Sequence, residues 1–136
     1  MDRSIVRMPL GTLDARMQAF IERQEMMVVA TFDESGEREC WFRAGPPGFV
    51  RVLDVNRLVW PEYPDDAHCG HVTDYPEVSL AFLHYQAADV TLRIEGRAKM
   101  MSDDLMRRAY RDLSDAIPGL PPEHWVTVYV EDVQVD

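Results

Sequence analysis

Residues 48–64, with the sequence GFVRVLDVNRLVWPEYP, constrain the fold of this chain more than any other stretch. They contain two runs rich in β-branched and aromatic residues, 49–53 and 57–61, joined by a short turn, and this pattern predicts a β-hairpin. Pro61 and Pro64 lack the backbone N–H that a strand donates to its neighbour, so we expect the second strand to end there. The chain then enters a polar segment. A hairpin that ends in a polar corner favours a ligand site at this place.

Five further segments have the patterns of β-strands. Met26–Phe32 is an almost unbroken apolar run, which predicts a strand buried on both faces. In residues 90–101 apolar and polar residues alternate until Gly96, where we expect a bend or bulge. In residues 125–135 the apolar phase shifts after Val130, which predicts a bulge near Glu131 and Asp132. The remaining two predicted strands are Arg38–Ala44 and residues 78–85.

Two segments have the spacing of amphipathic helices. We expect the first to begin at Thr12 and the second at Ser102, because Ser and Thr are favoured N-caps. The apolar residues at helical spacing are Leu13, Met17, Phe20 and Ile21 in the first, and Leu105, Ala109, Leu113 and Ile117 in the second. Strands in mostly antiparallel order with few helices predict a small closed barrel of six or more strands, and residues 1–136 form one domain.

Composition and charge narrow the classes of partner and compartment. The formal net charge of −10 argues against nucleic acid and anionic membranes as partners. No apolar run approaches the roughly 20 residues of a membrane-spanning helix. Two cysteines, Cys40 and Cys69, without a spacing pattern indicate free thiols in a reducing compartment. We therefore expect a cytoplasmic protein.

His68, Cys69 and His71 form the sharpest local cluster of reactive side chains. Imidazole and thiolate are good ligands for zinc or iron, and a further ligand would have to come from His84, Asp65 or Asp66. Short clusters of this kind more often lie in ordinary polar loops. The favoured interpretation is therefore a loop without a metal site. We expect His84 to be a hydrogen-bonded core histidine on the apolar face of its strand.

The order of these pieces resembles the pyridoxamine 5′-phosphate oxidase-like, FMN-binding split β-barrel family. The resemblance covers about residues 13–130 and implies a six-stranded antiparallel split β-barrel with two to three short helices. It also implies a homodimer, with two flavins in grooves at the dimer interface, each contacted by both subunits. The pieces that carry it are MMVVATFDESGE, GPPGFVRVLD, Pro61, YPEV at residues 75–78 and LRIEGRA at residues 92–98.

The resemblance also implies residues for an FMN site. Arg43, followed by Ala44, matches an arginine that helps to hold the flavin phosphate, while Trp60 and Pro61 match strand-end positions that line the flavin. A salt bridge at the surface or in the dimer is the alternative role for Arg43, and simple wall packing is the alternative for Trp60. His68, His71 and Thr73 do not come from the resemblance but are donors that could take the place of the missing basic residues. The full set of candidate cofactor-binding residues is Arg43, Ala44, Phe49, Trp60, Pro61, His68, His71 and Thr73.

The segment 62–77 departs from the family pattern. It contains no lysine or arginine and five acids, namely Glu62, Asp65, Asp66, Asp74 and Glu77. A phosphate monoester carries a charge of about −1.5 to −2 and favours arginine, lysine or backbone N–H donors, so these acids would repel it.

Two functions therefore follow as hypotheses. The first is an FMN-dependent oxidoreductase, or a flavin-binding protein, that acts on a small molecule. The second is a split barrel that has lost FMN and binds another small molecule, or catalyses a non-redox step, in the same groove. Because related split barrels include haem binders, an axial-ligand role for His68, His71 or His84 is a further alternative.

Overall fold

The computed structural model describes residues 6–8, 11–113, 115 and 118–136. Within these residues the chain forms eight strands and three short helices. The longest helix has nine residues, so none of the described helices has the length of a bilayer-spanning helix. The predicted helical position of Ile117 lies outside the described residues. In chain order the elements are β1 (Val6–Met8), α1 (Ala15–Arg23), β2 (Met26–Phe32), β3 (Arg38–Ala44), β4 (Arg51–Asp54), β5 (Arg57–Glu62), α2 (His71–Asp74), β6 (Glu77–Leu83), β7 (Thr91–Ser102), α3 (Asp103–Ala109) and β8 (His124–Val135).

All the strands belong to one antiparallel sheet that curls into a split barrel. The strand order is β3-β2-β6-β7-β8-β5-β4, and β1 pairs with β8 outside this path. The predicted mainly β, antiparallel split-barrel class is confirmed, although the sheet has eight strands rather than six. β1 was not predicted from the sequence because three residues are too few to show a period of two.

β2 has one buried and one open face, so the prediction that both its faces are buried is wrong for this chain. Met27 and Val29 point into the barrel and are at most 1% exposed. Met26 and Phe32, which point outwards, are 45% and 36% exposed. The outward residues are apolar, yet no other described element covers them.

The predicted bulge in β8 is confirmed at Glu131. Glu95 pairs with Asp132 and Gly96 pairs with Val130, so Glu131 has no opposite residue on β7. Gly96 permits this geometry because a Cβ at this position would lie 2.3 Å from the carbonyl oxygen of Tyr129. Beyond the bulge β8 changes its second neighbour from β5 to β1.

Pro61 lies inside β5 rather than ending it. The strand continues to Glu62, and Pro61 pairs with Trp125 of β8. On the other side of β5 the pairing with β4 stops at Val59. The missing N–H of Pro61 therefore faces an unpaired edge, where a proline is tolerated.

The two predicted helices form, with shifted details. α1 is capped by Asp14 rather than Thr12, since the Asp14 carboxylate accepts a hydrogen bond of 2.9 Å from the Met17 N–H. α3 is capped by Ser102 as predicted. Its buried residue is Met106, whereas Leu105, predicted to lie on the apolar stripe, is 51% exposed. Met106 packs in a small cluster with Val59, Leu113 and Trp125.

The burial of Met106 and the exposure of its neighbour Leu105 on α3 lead to a prediction about stability. Met106→Ala should lower the free energy of unfolding by about 2–5 kcal/mol, because it leaves a cavity in a closed cluster. Leu105→Ala, the matched control on the exposed face, should change it by no more than about 0.5 kcal/mol. Urea unfolding followed by tryptophan fluorescence measures both. An equal or larger loss for Leu105→Ala would contradict the assignment of the buried face.

Candidate functional site

A cavity of about 350 Å³ lies where β3 ends, beside the turn that follows it and the chain after β5. We call it the Arg43 groove. Its walls combine aromatic rings and prolines with two carboxylates, so one side of a bound molecule would meet apolar surface and another would meet negative charge. The lining residues are Phe42, Arg43, Ala44, Gly45, Pro46, Phe49, Pro61, Tyr63, Asp65, Asp66 and Ala67.

Arg43 is buried in the wall of the groove and forms an ion pair with Glu62. Its Nε donates to Glu62 Oε2 at 2.6 Å, and its Nη2 donates to Glu62 Oε1 at 2.9 Å. Nη2 also donates to the Ala67 carbonyl at 2.6 Å. Trp60 Nε1 donates to Glu62 Oε2 at 3.0 Å. The carboxylate is therefore held by three N–H donors, and the guanidinium charge is neutralised within the protein.

Strand alternation explains why these two charges are buried together. Trp41 and Arg43 are the inward residues near the end of β3, and Trp60 and Glu62 are the inward residues near the end of β5. Arg43 is 7% exposed and Glu62 is 3% exposed. Burial lowers the pKa of Arg43, but the hydrogen bond and the charge of Glu62 outweigh it and raise that pKa above its ordinary value. The guanidinium of Arg43 therefore stays charged.

The rest of the polar lining is acidic. Asp66 accepts a hydrogen bond of 2.9 Å from the Tyr63 N–H, which holds its carboxylate beside the groove. Asp65 lies on the same wall and is exposed. Because Glu62 cancels the charge of Arg43, these two aspartates give the groove a net negative charge.

The structure brings together four of the eight residues implied for a cofactor site. Arg43, Ala44, Phe49 and Pro61 all line the groove. Trp60 lies in the barrel core and is 1% exposed, which agrees with wall packing. The other three are His68, His71 and Thr73, which do not line the groove; Thr73 is exposed and its hydroxyl donates to Met100 Sδ at 3.7 Å.

His68 and His71 pack around Trp41 on the other side of the loop. The His68 ring stacks on Trp41 with centroids 4.6 Å apart and planes 6° apart, and its Nε2 lies 3.2 Å from Glu39 Oε1. The His71 ring makes a T-shaped contact with the Trp41 ring and a tilted contact with the Tyr75 ring. Within the described residues, no three His, Cys, Asp or Glu side chains lie close enough to bind a metal ion.

The Cys69 thiol, next to His68 in the chain, lies in surroundings that oppose ionisation. Burial raises its pKa, and the nearby Glu62 and Asp66 carboxylates raise it further. The protonated thiol is a poor nucleophile and a poor metal ligand. This environment agrees with an ordinary free thiol at Cys69.

The prediction that His84 is a core histidine on the apolar face of its strand is wrong. β6 ends at Leu83, and His84 takes a left-handed backbone conformation with φ of 65°. Its side chain is exposed, and its Nδ1 donates to the Ala88 carbonyl at 2.8 Å. The apolar alternation through Phe82 gave no indication of this break, because it depends on the shape of the following loop.

Comparison with known protein families identifies the family of this chain. The family model described as pyridoxamine 5′-phosphate oxidase matches residues 13–135. The chain belongs to the pyridoxamine 5′-phosphate oxidase family. No protein of curated function matches the sequence.

Crystal structures of similar proteins agree with the fold of this family member. A proposed pyridoxamine 5′-phosphate oxidase from Lactobacillus delbrueckii is 19% identical, with a TM-score of 0.66 and coverage of 93% of this chain and 97% of that chain. An FAD-binding protein from Mesorhizobium loti is 17% identical, with a TM-score of 0.62 and coverage of 94% and 97%. HupZ from Group A Streptococcus is 16% identical, with a TM-score of 0.62 and coverage of 89% and 92%. At these identities the likeness is one of fold.

The residues of the Arg43 groove do not fit the phosphate of FMN. The one arginine in its wall already donates from all three of its nitrogens, to Glu62 and to the carbonyls of Phe42 and Ala67. Asp65 and Asp66 face the space beside it. A phosphate monoester would meet two carboxylates without a free cation among the lining residues, which is unfavourable by charge. The apolar walls, in contrast, suit a planar ring.

The sequence did not indicate every residue of the site. The role of Glu62 as the partner of Arg43 was not predicted, and the lining residues Phe42, Gly45, Pro46, Tyr63 and Ala67 were not assigned to the site. One signal was available for the pair. Arg43 and Glu62 each fall on the same strand face as a tryptophan two residues before, and a buried charge requires an opposite charge beside it.

The Arg43–Glu62 pair predicts strong coupling between the two residues. Arg43→Met or Glu62→Leu alone should cost about 3–5 kcal/mol of unfolding free energy, because each leaves an uncompensated buried charge. The double variant should cost less than the sum of the two. The same cycle on Arg97 and Glu77, an exposed pair at 3.3 Å, serves as the control and should give less than about 1 kcal/mol of coupling. Additive losses at Arg43 and Glu62 in urea unfolding would contradict the buried pair.

Proposed function

We propose that this family member binds a small, planar heteroaromatic molecule without a phosphate group in the Arg43 groove. The observation that carries the proposal is the bidentate Arg43–Glu62 pair, because it removes the cation that a phosphate would need. A flavin ring without a terminal phosphate is the ligand that the family membership favours.

The walls of the groove support a planar ligand. Phe42 and Phe49 bring aromatic surface to the groove, while Pro46 and Pro61 add rigid apolar surface. The volume of about 350 Å³ lies at the lower end of the range for small-molecule sites. The carboxylates of Asp65 and Asp66 in the lining favour a neutral or positively charged polar group over an anionic one.

An FMN-dependent oxidoreductase is the second candidate. The family match over residues 13–135 favours it, and one protein of the same fold is described as FAD-binding. A bound flavin supplies the redox chemistry itself, so the protein would need only to bind and orient the ring and to exclude water. Under this candidate Arg43 would have to exchange Glu62 for the phosphate.

Titration with two flavins separates these candidates. Riboflavin should bind at least as tightly as FMN, because the phosphate finds no free cation in the groove. Glu62→Gln should release the Arg43 charge and improve FMN binding relative to riboflavin by roughly ten- to a hundredfold, the worth of a charge-assisted hydrogen bond. Quenching of flavin fluorescence measures both, with circular dichroism to check the fold of the variant.

Each outcome of the titration either chooses between the two candidates or rejects the flavin ring as the ligand. If the parent protein binds FMN tenfold or more tightly than riboflavin, the second candidate is correct and the first is wrong. If neither riboflavin nor the bare tricyclic ring of lumichrome binds, the flavin ring is not the ligand and the proposal fails. Should Glu62→Gln not fold, the ratio of the two flavin affinities for the parent protein still decides between the candidates.

The open sheet face supports a second part of the proposal, that the chain forms a homodimer. Phe42 is 63% exposed on β3, and Met26 and Leu83 are 45% and 42% exposed on β2 and β6. The strand register places all three on the same outward face. Phe42 also lines the Arg43 groove, so a partner on this face would stand beside the ligand. Apolar side chains at the centre of a sheet face are typical of homodimer interfaces.

The dimer has its own test. Sedimentation at micromolar concentration should give twice the chain mass of 15.7 kDa. Phe42→Asp should shift the equilibrium to monomer, because it places a charge on the apolar face at its most exposed large apolar residue. Val55→Asp, at a similarly exposed residue in the β4–β5 turn, should not. A monomeric parent protein, or dissociation by both variants alike, would contradict the assigned interface.

The proposal also includes the compartment of the protein and the classes of partner that it avoids. Cys40 and Cys69 are free thiols, which supports a reducing compartment such as the cytoplasm. The net charge of −10 supports a protein that avoids nucleic acid and anionic membranes.

A further inference from the structure

A second, larger cavity lies between α1 and the loop that joins β6 to β7, and it shares no residue with the Arg43 groove. Its volume is about 700 Å³. Arg16, Phe20 and Arg23 line it from one face of α1, at the i, i+4 and i+7 spacing of a helix. His84 and Tyr85 line it from the loop. We call it the α1 cavity.

The polar groups of the α1 cavity are mainly cationic, in a chain whose net charge is −10. Arg16 and Arg23 are separated by about 10 Å along the helix axis, from the rise of 1.5 Å per residue. Both are exposed, and neither forms an ion pair with another described residue. His84 uses Nδ1 on the Ala88 carbonyl, which leaves Nε2 for a ligand. No carboxylate is among the described residues that line the cavity, and Asp14, which acts on Tyr85 electrostatically, is engaged as the N-cap of α1.

Tyr85 supplies the second, independent sign of a ligand. It is 4% exposed, and its ring packs edge-on against Phe20 with centroids 4.9 Å apart. Across the described part of the chain its hydroxyl has no hydrogen-bond partner, although it lines the cavity. The ring is buried while the hydroxyl stays accessible from the cavity, so a bound molecule can accept its hydrogen bond. Burial raises the pKa of Tyr85, and Asp14 raises it further against the opposing effect of Arg16, so the hydroxyl remains a donor at neutral pH.

We propose that the α1 cavity binds a small organic anion, a carboxylate or phosphate monoester carried on an apolar body. Arg16 and Arg23 hold the anionic group with charge-assisted hydrogen bonds, which are the strong ones in proteins. The Tyr85 hydroxyl donates to the same group. Phe20, Ala87 and Ala88 contact the apolar body. This site is separate from the ligand of the Arg43 groove and does not depend on it.

The apolar part of the lining distinguishes an organic anion from a free inorganic one. Inorganic phosphate would satisfy the arginines but leave the Phe20 and Tyr85 rings facing water. An aromatic anion satisfies both, so it should bind more tightly than either the bare anion or the neutral ring. The comparison of these three molecules therefore tests the two halves of the proposal separately.

The experiment measures binding of 1-naphthyl phosphate, 1-naphthoate, 1-naphthol and inorganic phosphate to the full chain by isothermal calorimetry. At least one of the two naphthyl anions should bind tenfold or more tightly than both 1-naphthol and inorganic phosphate. Arg16→Gln and Arg23→Gln should each weaken that binding about tenfold or more. Tyr85→Phe should weaken it less, by the loss of one hydrogen bond. Arg108→Gln, an exposed arginine on α3, removes the same charge elsewhere and should leave binding unchanged.

Three results would overturn this assignment. One is the absence of binding by both naphthyl anions at millimolar concentration. Another is equal weakening by Arg108→Gln, which would mean that only the net charge matters. The third is competition by riboflavin, which would place the anion in the Arg43 groove. Because Arg16 and Arg23 are exposed, both variants should fold, and a thermal unfolding curve for each checks this.

Discussion

The barrel is closed at its split by one buried ion pair. β3 begins the path of strands in the sheet and β5 stands next to its other end, so the two are not neighbours in the described ladder. Arg43 on β3 reaches Glu62 on β5 where no backbone hydrogen bonds join them. Placing two charges out of water is unfavourable unless each is fully bonded, and here Trp60 and the Ala67 carbonyl complete the set. The position of the loop after β5, and therefore the shape of the Arg43 groove, depends on this pair.

Local patterns predicted most of the sheet, and non-local contacts account for what they missed. The shift of apolar phase between Val130 and Val133 was enough to place the bulge at Glu131. A helix begins after Ser102 as predicted, but it ends at Ala109, before the predicted helical position of Leu113. Its buried residue is Met106, because Trp125 and Val59 decide which side of so short a helix is covered. For the site, Arg43 could be singled out from the sequence, whereas its partner could not. The two are 19 residues apart and meet only when β3 and β5 converge.

The Arg43 groove and the α1 cavity differ in the sign of the charged side chains that a ligand would meet. At the Arg43 groove the only lining cation is neutralised, and Asp65 and Asp66 remain. At the α1 cavity the two arginines are open to solvent, and no carboxylate is among the described lining residues. The net charge of the chain therefore predicts the electrostatic environment of neither the Arg43 groove nor the α1 cavity. The polarity that a ligand meets is set by which charges already have partners within the fold, so sites of opposite preference occur on one acidic chain.

The position of β8 has a consequence for the order in which the molecule can assemble. β8 lies between β7 and β5 in the sheet and also pairs with β1, yet it follows all three in the chain. During synthesis the edges of β5 and β7 that pair with β8 remain unpaired until residues 124–135 have left the ribosome. The sheet therefore cannot be completed from its N-terminal part onwards, and a nascent chain that pauses before β8 exposes Leu58 and Trp60 to other unfolded chains.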